Sequence, residues 1–391
     1  MDINSKDIDI GLLRRRKKRR RQLVKFFAVM LLAGVVITLY AKRDSWIPKL
    51  EGIGGKFQSV KSNQGELAEG NFPLSISGGI DYQTAELNGH LAIMSDAYLY
   101  IYTDNGDLYE ERQHAYSNAM LQTAGKKALV YESGGNRFRV ENRSSVLYSK
   151  KLEDNIIFAR ISEDGRAAVI TDSDTYLCRI IVYDESGKEI YSRDCVERVI
   201  DLAFSEDSKG CVLATVDAVE GNICSKIVSV SFDSKKDNWS SEQIDTMCLR
   251  LYQTDDDIFV LGDTKCAYYD NKGKLKTEYA YPAKLADWDY SDGRTAMLFE
   301  NETKRHSYVT TIDSEKKEPN VMEFNDNSAK CIRIIDEHIC VLGKDGIMQY
   351  NFSGGGEKKI SSEGSYEKMI SIDDYIFLLG YDRIDRIDYK G

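Results

Sequence analysis

The sequence predicts an all-β fold, an eight-bladed β-propeller with seven blades as the alternative, preceded by one N-terminal transmembrane helix. Three observations lead there. A single apolar run sits beside a strongly basic tail. After it, short apolar strands alternate with turn clusters to the end of the chain, with no long helical periodicity. The first strands of successive groups recur every roughly 37–48 residues, about the length of a four-stranded blade.

The apolar run covers residues 23–41, LVKFFAVMLLAGVVITLYA. From Phe26 onward only Thr38 and the Tyr40 hydroxyl are polar, and Lys25 can carry its ammonium back to the headgroups. About 19 residues at ~1.5 Å each come close to the ~30 Å hydrocarbon core. Eight consecutive bases, Arg14 to Arg21, precede the run, and only Lys42 and Arg43 follow it. That imbalance keeps residues 1–22 in the cytoplasm, where the basic tail meets anionic lipid, and sends the rest outside the cell membrane. A signal peptide shares this pattern, but cleavage after Ala41 would place Leu39 where a small residue is needed. Residues 42–70, rich in glycine, read as a juxtamembrane linker, and residues 71–391 as the extracytoplasmic propeller.

Charge follows the same division. Residues 1–43 hold 12 Lys and Arg against 3 Asp, a charge of +9, whereas the remainder holds 41 bases against 60 acids, a charge of −19. So acidic a domain argues against nucleic acid as a partner. The eight cysteines show no CxxC or other metal-type spacing. Cys331 and Cys340 flank an expected tight turn at Asp336-Glu337; that register sets Cys340 opposite Arg333 and leaves Cys331 diagonal to it, about 7–8 Å away, which is long for a bridge. The cysteines therefore read mainly as free, buried thiols packing as small hydrophobes.

The strand signals include residues 90–96 (HLAIMSD), 97–104 (AYLYIYTD), 167–172 (AAVITD), 226–232 (KIVSVSF), 257–262 (DIFVLG), 340–343 (CVLG) and 375–380 (YIFLLG). Val, Ile, Tyr and Phe dominate them, and only four prolines interrupt the chain. Two kinds of turn recur. One is Ser-x-Asp, at Ser162-Glu163-Asp164-Gly165-Arg166 and Ser205-Glu206-Asp207-Ser208, with Ser291-Asp292-Gly293-Arg294 as a shortened form. The other follows a strand, at Tyr102-Thr103-Asp104-Asn105-Gly106, Tyr183-Asp184-Glu185-Ser186-Gly187 and Tyr269-Asp270-Asn271-Lys272-Gly273. In both, a polar side chain folds onto its own backbone and Gly supplies positive φ. Aligning the turns places first strands near Ile80, Ser117, Ile156, Val199, Met247, Leu285, Lys330 and Glu367. The last unit has room for three strands. The segment 72–77 supplies the fourth, which closes the ring and hides its open edges.

These Ser-x-Asp-Gly-Arg and Tyr-Asp-x-x-Gly-Lys turns resemble those of WD-repeat and quinoprotein-type propellers. The whole layout resembles a family of uncharacterised single-pass membrane-anchored propellers of Gram-positive bacteria. The Gly-His and Trp-Asp pair of strict WD repeats is missing, as is the repeated tryptophan of quinoprotein blades, so the resemblance implies no bound quinone and no particular activity.

No catalytic, cofactor-binding or metal-binding residue emerges. His90, His114, His306 and His338 fall in different units without ligand spacing and read as surface or turn residues. GxSxG, P-loop and GxGxxG patterns are absent; Gly354-Gly355-Gly356 reads as a turn. The stretch Asp287-Trp288-Asp289-Tyr290-Ser291-Asp292-Gly293 carries oxygen ligands before a glycine, but its alternation is that of a strand. Tyr98, Tyr100 and Tyr102, at period two, share one strand face, with a sugar-stacking strip as the sharper alternative. The expected function is a binding or scaffold module for an envelope protein or cell-wall glycan. The alternative is a glycan hydrolase or lyase, with carboxylates converging at one mouth of the central channel.

Overall fold

The computed structural model describes residues 65–76, 82–301, 306–313, 319–324, 328–356, 358–362 and 364–389. The basic tail and the expected span at 23–41 lie outside them. Among the described residues, no helix is long and apolar enough to cross a membrane.

The described strands form eight four-stranded antiparallel sheets. In each the first strand lines the centre and the chain steps outward. Blades 1 to 7 span residues 83–113, 119–151, 156–195, 198–240, 248–280, 284–324 and 331–361. Blade 8 contains Tyr366–Ile372, Tyr375–Gly380 and Arg383–Asp388, and takes its outer strand, Leu74–Ser75, from the start of the propeller. From blade 2 onward each observed first strand begins within two residues of the expected position. In blade 1 it is Gln83–Glu86, and Ile80 is outside the described residues.

Ring closure is the expected one. Leu74 pairs with Ile384 and Ser75 with Arg383. The contacts begin earlier, inside the segment read as linker: the Gly65 N–H donates to the Asp388 carbonyl (2.9 Å), and that of Ala68 to Arg386 (2.8 Å). Arg386, 1% exposed, lies 5.3 Å from the centre of the Phe72 ring and 4.3 Å from that of Tyr375, and donates to the Asp104 carbonyl of blade 1. One guanidinium thus ties together the closing segment, blade 8 and blade 1.

The core lies between blades. Each second strand is covered on both faces by neighbouring sheets, so Leu91–Met94, Ala167–Thr171 and Asp257–Gly262 are buried throughout. This explains their unbroken apolar runs. Outer strands such as Leu108–Gln113 alternate and face solvent.

The two turn classes form as the sequence predicts. The Ser162 hydroxyl accepts the Arg166 N–H (2.9 Å), and that of Ser205 the Gly210 N–H (3.1 Å). Asp184 accepts from the Ser186 hydroxyl (2.6 Å) and from the Ser186 and Lys188 N–H groups (2.9 Å each), and Asp270 from the Lys274 and Lys272 N–H groups (2.9 Å each); these bonds hold both carboxyls below their ordinary pKa. Gly187 and Gly273 close the turns at φ +81° and +79° and pack against Tyr148 and Trp239, on the outer strand of the preceding blade. The turns therefore also staple neighbouring blades. Blade 4 departs from the pattern. Its middle strands, Gly210–Val219 and Asn222–Ser231, run ten residues each in continuous register and carry a hairpin beyond the sheet.

Candidate functional site

The inner strands carry isolated charges in apolar surroundings. Five of them, in blades 3, 4, 5, 6 and 8, contain a β-bulge. A bulge re-aims the residues that follow it. In blade 4 the bulge precedes Asp201, which is fully buried and reaches both neighbours. Its Oδ1 lies 2.6 Å from Arg160 Nη2 of blade 3 and 3.9 Å from Arg250 Nη1 of blade 5, while its Oδ2 accepts the Leu251 N–H at 2.7 Å. Burial pulls the Arg160 pKa down, and Asp201 opposes that pull.

The same device recurs after the bulge of blade 6. Asp287 Oδ2 accepts the Ile332 N–H (2.9 Å) and Arg333 Nη1 (2.8 Å), and Asp289 Oδ2 accepts the Ile334 N–H (2.7 Å). Burial raises the Asp289 pKa, with Arg333 acting against the rise. In blade 1 Gln83 serves as the neutral counterpart, accepting the Leu121 N–H (3.0 Å) and donating to the Ala119 carbonyl (2.8 Å). These side chains satisfy backbone groups of the adjacent inner strand and lock blades in pairs around the channel.

At the end of the channel where inner strands turn into second strands, a cavity of about 880 Å³ opens beside blades 3 to 6. Arg160, Arg250, Tyr252 and Gln253 line its wall, and Glu163, Glu206, Asp255 and Asp256 its rim. Asp255 pushes the Glu206 carboxyl above its ordinary pKa. Tyr252 is fixed by stacking on Tyr290 (ring centres 4.3 Å apart) and by Trp288 Nε1, which donates to its hydroxyl at 3.2 Å. The rim carboxylates sit on exposed turns, whereas Asp257, which also lines the cavity, is already paired with Lys276.

The opposite end of the ring differs in character. There the loops of blades 3 and 4 expose apolar side chains: Tyr176, Leu177 (50% exposed), Val196 (76%), and Val219 and Ile223 (52%) at the tip of the long hairpin. The Leu177 N–H donates to the Cys195 carbonyl (3.1 Å), which sets Leu177 beside Val196.

The structure resolves the stretches singled out in the sequence. Residues 287–291 lie within the inner strand Lys284–Ser291; Trp288 and Tyr290 pack toward blade 5, and Asp287 and Asp289 reach toward blade 7. The alternation is strand patterning, and Asp292 and Gly293 form the turn that follows, at φ +50° and +76°. Tyr98, Tyr100 and Tyr102 share one face of Tyr98–Tyr102, with Tyr98 stacked on Tyr100 at 5.8 Å. Gly354-Gly355-Gly356 is a turn held by Asn351, whose side-chain oxygen accepts the Gly355 N–H. Arg333 pairs with Cys340, and Cys331 with Leu342, the expected register. All eight cysteines are buried free thiols.

His114 departs from expectation. It lies in a connection but is buried at 5% exposure, with Nε2 donating to the Ser95 carbonyl (2.9 Å) and Nδ1 accepting the Tyr116 N–H (3.2 Å). The channel residues Arg160, Asp201, Arg250 and Arg333 escaped the sequence reading. The signal was a single charge inside an otherwise apolar stretch of a first strand, as in IIFARI, VIDLAF and CIRII.

Eight radially arranged four-stranded blades, closed by a strand from the start of the ring, define a β-propeller of WD-repeat-like architecture. The chain belongs to the family of unknown function DUF5711, which matches residues 73–388. No curated protein matches it. Among solved structures, BamB from Moraxella catarrhalis is similar at 14% identity, over 81% of this chain and 99% of that one, with a TM-score of 0.53. The computationally designed Ika8 protein is similar at 12% identity, over 80% and 98%, with a TM-score of 0.61. Sqt1 from Saccharomyces cerevisiae is similar at 11% identity, over 84% and 100%, with a TM-score of 0.57. At these identities the likeness is one of fold.

Proposed function

We propose that the chain is a membrane-anchored, extracytoplasmic protein-binding or scaffold module at the cell envelope, held by residues 23–41 with its basic tail in the cytoplasm against anionic lipid. The observation that carries the binding reading is the concentration of exposed Leu177, Val196, Val219 and Ile223 at one end of blades 3 and 4. Apolar side chains gathered on loops with a polar surround mark protein-binding surfaces. The protruding hairpin adds an element that a self-contained blade does not need.

A photocrosslinking residue placed at Val196 or Ile223 in cells tests this. Discrete protein adducts from these sites, and none from Lys272 in an exposed turn at the opposite end of the ring, are expected. Equal labelling from every site would overturn the reading.

A second reading, a glycan hydrolase or lyase, draws on one specific observation, the Glu206 carboxyl raised by Asp255 beside the large cavity. Turnover of cell-wall glycan by the purified chain, abolished by Glu206→Gln, is its expected mark. Turnover that survives Glu206→Gln, or no turnover, removes it.

A further inference from the structure

Cys178 opens the third strand of blade 3, Cys178–Tyr183, and Cys195 ends its outer strand, Glu189–Cys195. The two are direct cross-strand partners. Directly opposed residues of antiparallel strands have Cα atoms about 4.5 or 5.5 Å apart, both inside the ~4.4–6.8 Å range that a disulfide requires. Among the described strand pairings no other cysteine stands opposite a second one: Cys211 faces Val230, Cys224 faces Asp217, Cys248 faces Gly262, and Cys331 is diagonal to Cys340.

We propose that Cys178 and Cys195 form a dithiol site for thiol–disulfide exchange, oxidised to an intramolecular disulfide by a small or protein disulfide.

The environment assigns the two roles. The Cys178 thiol donates to the Glu197 carbonyl (3.6 Å) and the Cys195 thiol to the Arg193 carbonyl (3.9 Å); the nearness of the two sulfurs draws the Cys178 pKa down and pushes that of Cys195 up, and Arg198 adds to the fall at Cys178. Cys178 is therefore the attacking thiolate. It attacks one sulfur of the oxidant RS–SR, forming Cys178–S–SR and releasing RS⁻. Cys195 then gives up its proton to solvent, and its thiolate displaces the second RS⁻. Two protons and two electrons leave the cysteine pair, and the oxidant becomes two thiols. Access follows from position. Both sulfurs are buried, but they lie at strand ends, beneath the exposed Leu177 and Val196, and the outer strand has a partner on one side only. Opening such an end costs less than unfolding the blade.

The test uses the purified full-length chain, without denaturant, titrated with oxidised glutathione and mapped by mass spectrometry. The expected product is one linked pair of peptides, containing Cys178 and Cys195, lighter by two hydrogens, with the other six cysteines still alkylatable. In Cys195→Ser, glutathione should remain on Cys178 as a stable mixed disulfide; in Cys178→Ser, Cys195 should stay unmodified. Near-ultraviolet dichroism matching the wild type establishes that each variant is folded. Linkage that appears only in denaturant, a scatter of linked pairs, or equal adducts in both variants overturns the proposal.

Discussion

His114 shows how one buried side chain sets a pH dependence. Its neutral ring is satisfied on both nitrogens, and a proton on Nδ1 would break the bond from the Tyr116 N–H. Burial first, and Arg139 second, hold its pKa below the usual 6.5. The unfolded chain therefore binds this proton more readily, so the stability it confers is full above pH ~6.5 and is lost as pH falls through the folded value. The melting temperature of the wild type should drop more steeply between pH 7 and 5 than that of His114→Gln; equal slopes would rule the residue out as the source. Gly273 makes a steric claim at the same scale. It needs φ +79°, and an added Cβ would run into the Trp239 ring. Gly273→Ala should cost about 2 kcal/mol in urea unfolding, and Trp239→Ala in the same chain should recover part of that loss.

The inner strands work by joining blades. Asp201 gives a buried carboxylate to Arg160 and to the Leu251 N–H. Asp201→Ala leaves that guanidinium, 16% exposed, without its counter-charge and the N–H without an acceptor, and should cost about 3 kcal/mol by denaturant unfolding. A loss under about 1 kcal/mol would mean that water replaces the carboxylate. This scale also shows what was legible in advance. Second strands stood out in residues 258–262 and 376–380 because burial on both faces leaves these runs apolar, and the Asp184 and Asp270 turns because their chemistry is local. The channel pairings were not legible. They join residues about 40–50 positions apart, and which side a charge faces depends on a bulge that no local pattern marks. The length of the blade 4 hairpin was missed for a related reason: its protruding residues follow no alternation set by a packed neighbour.

For the whole molecule, the closing segment carries the integrity of the ring. Leu74–Ser75 completes blade 8, and Phe72 packs with Arg386. A chain starting at residue 82 should bind a hydrophobic dye and lose the single cooperative unfolding transition of one starting at residue 61; an unchanged transition would show that the ring holds without its clasp. Eight blades could be counted from the sequence because the period and the missing fourth strand agreed. The proposed binding surface could not, because exposure at Val196 or Ile223 is a property of the assembled end of the ring. The central claim is the proposed one, that residues 23–41 anchor the propeller and leave this end of it outside the cell. Val196→Cys places an exposed thiol there, against a background of buried ones. Treated with a membrane-impermeant maleimide, intact cells carrying the variant should label at this residue as fully as lysed cells do. Labelling that requires lysis would contradict the account and put the propeller on the cytoplasmic side.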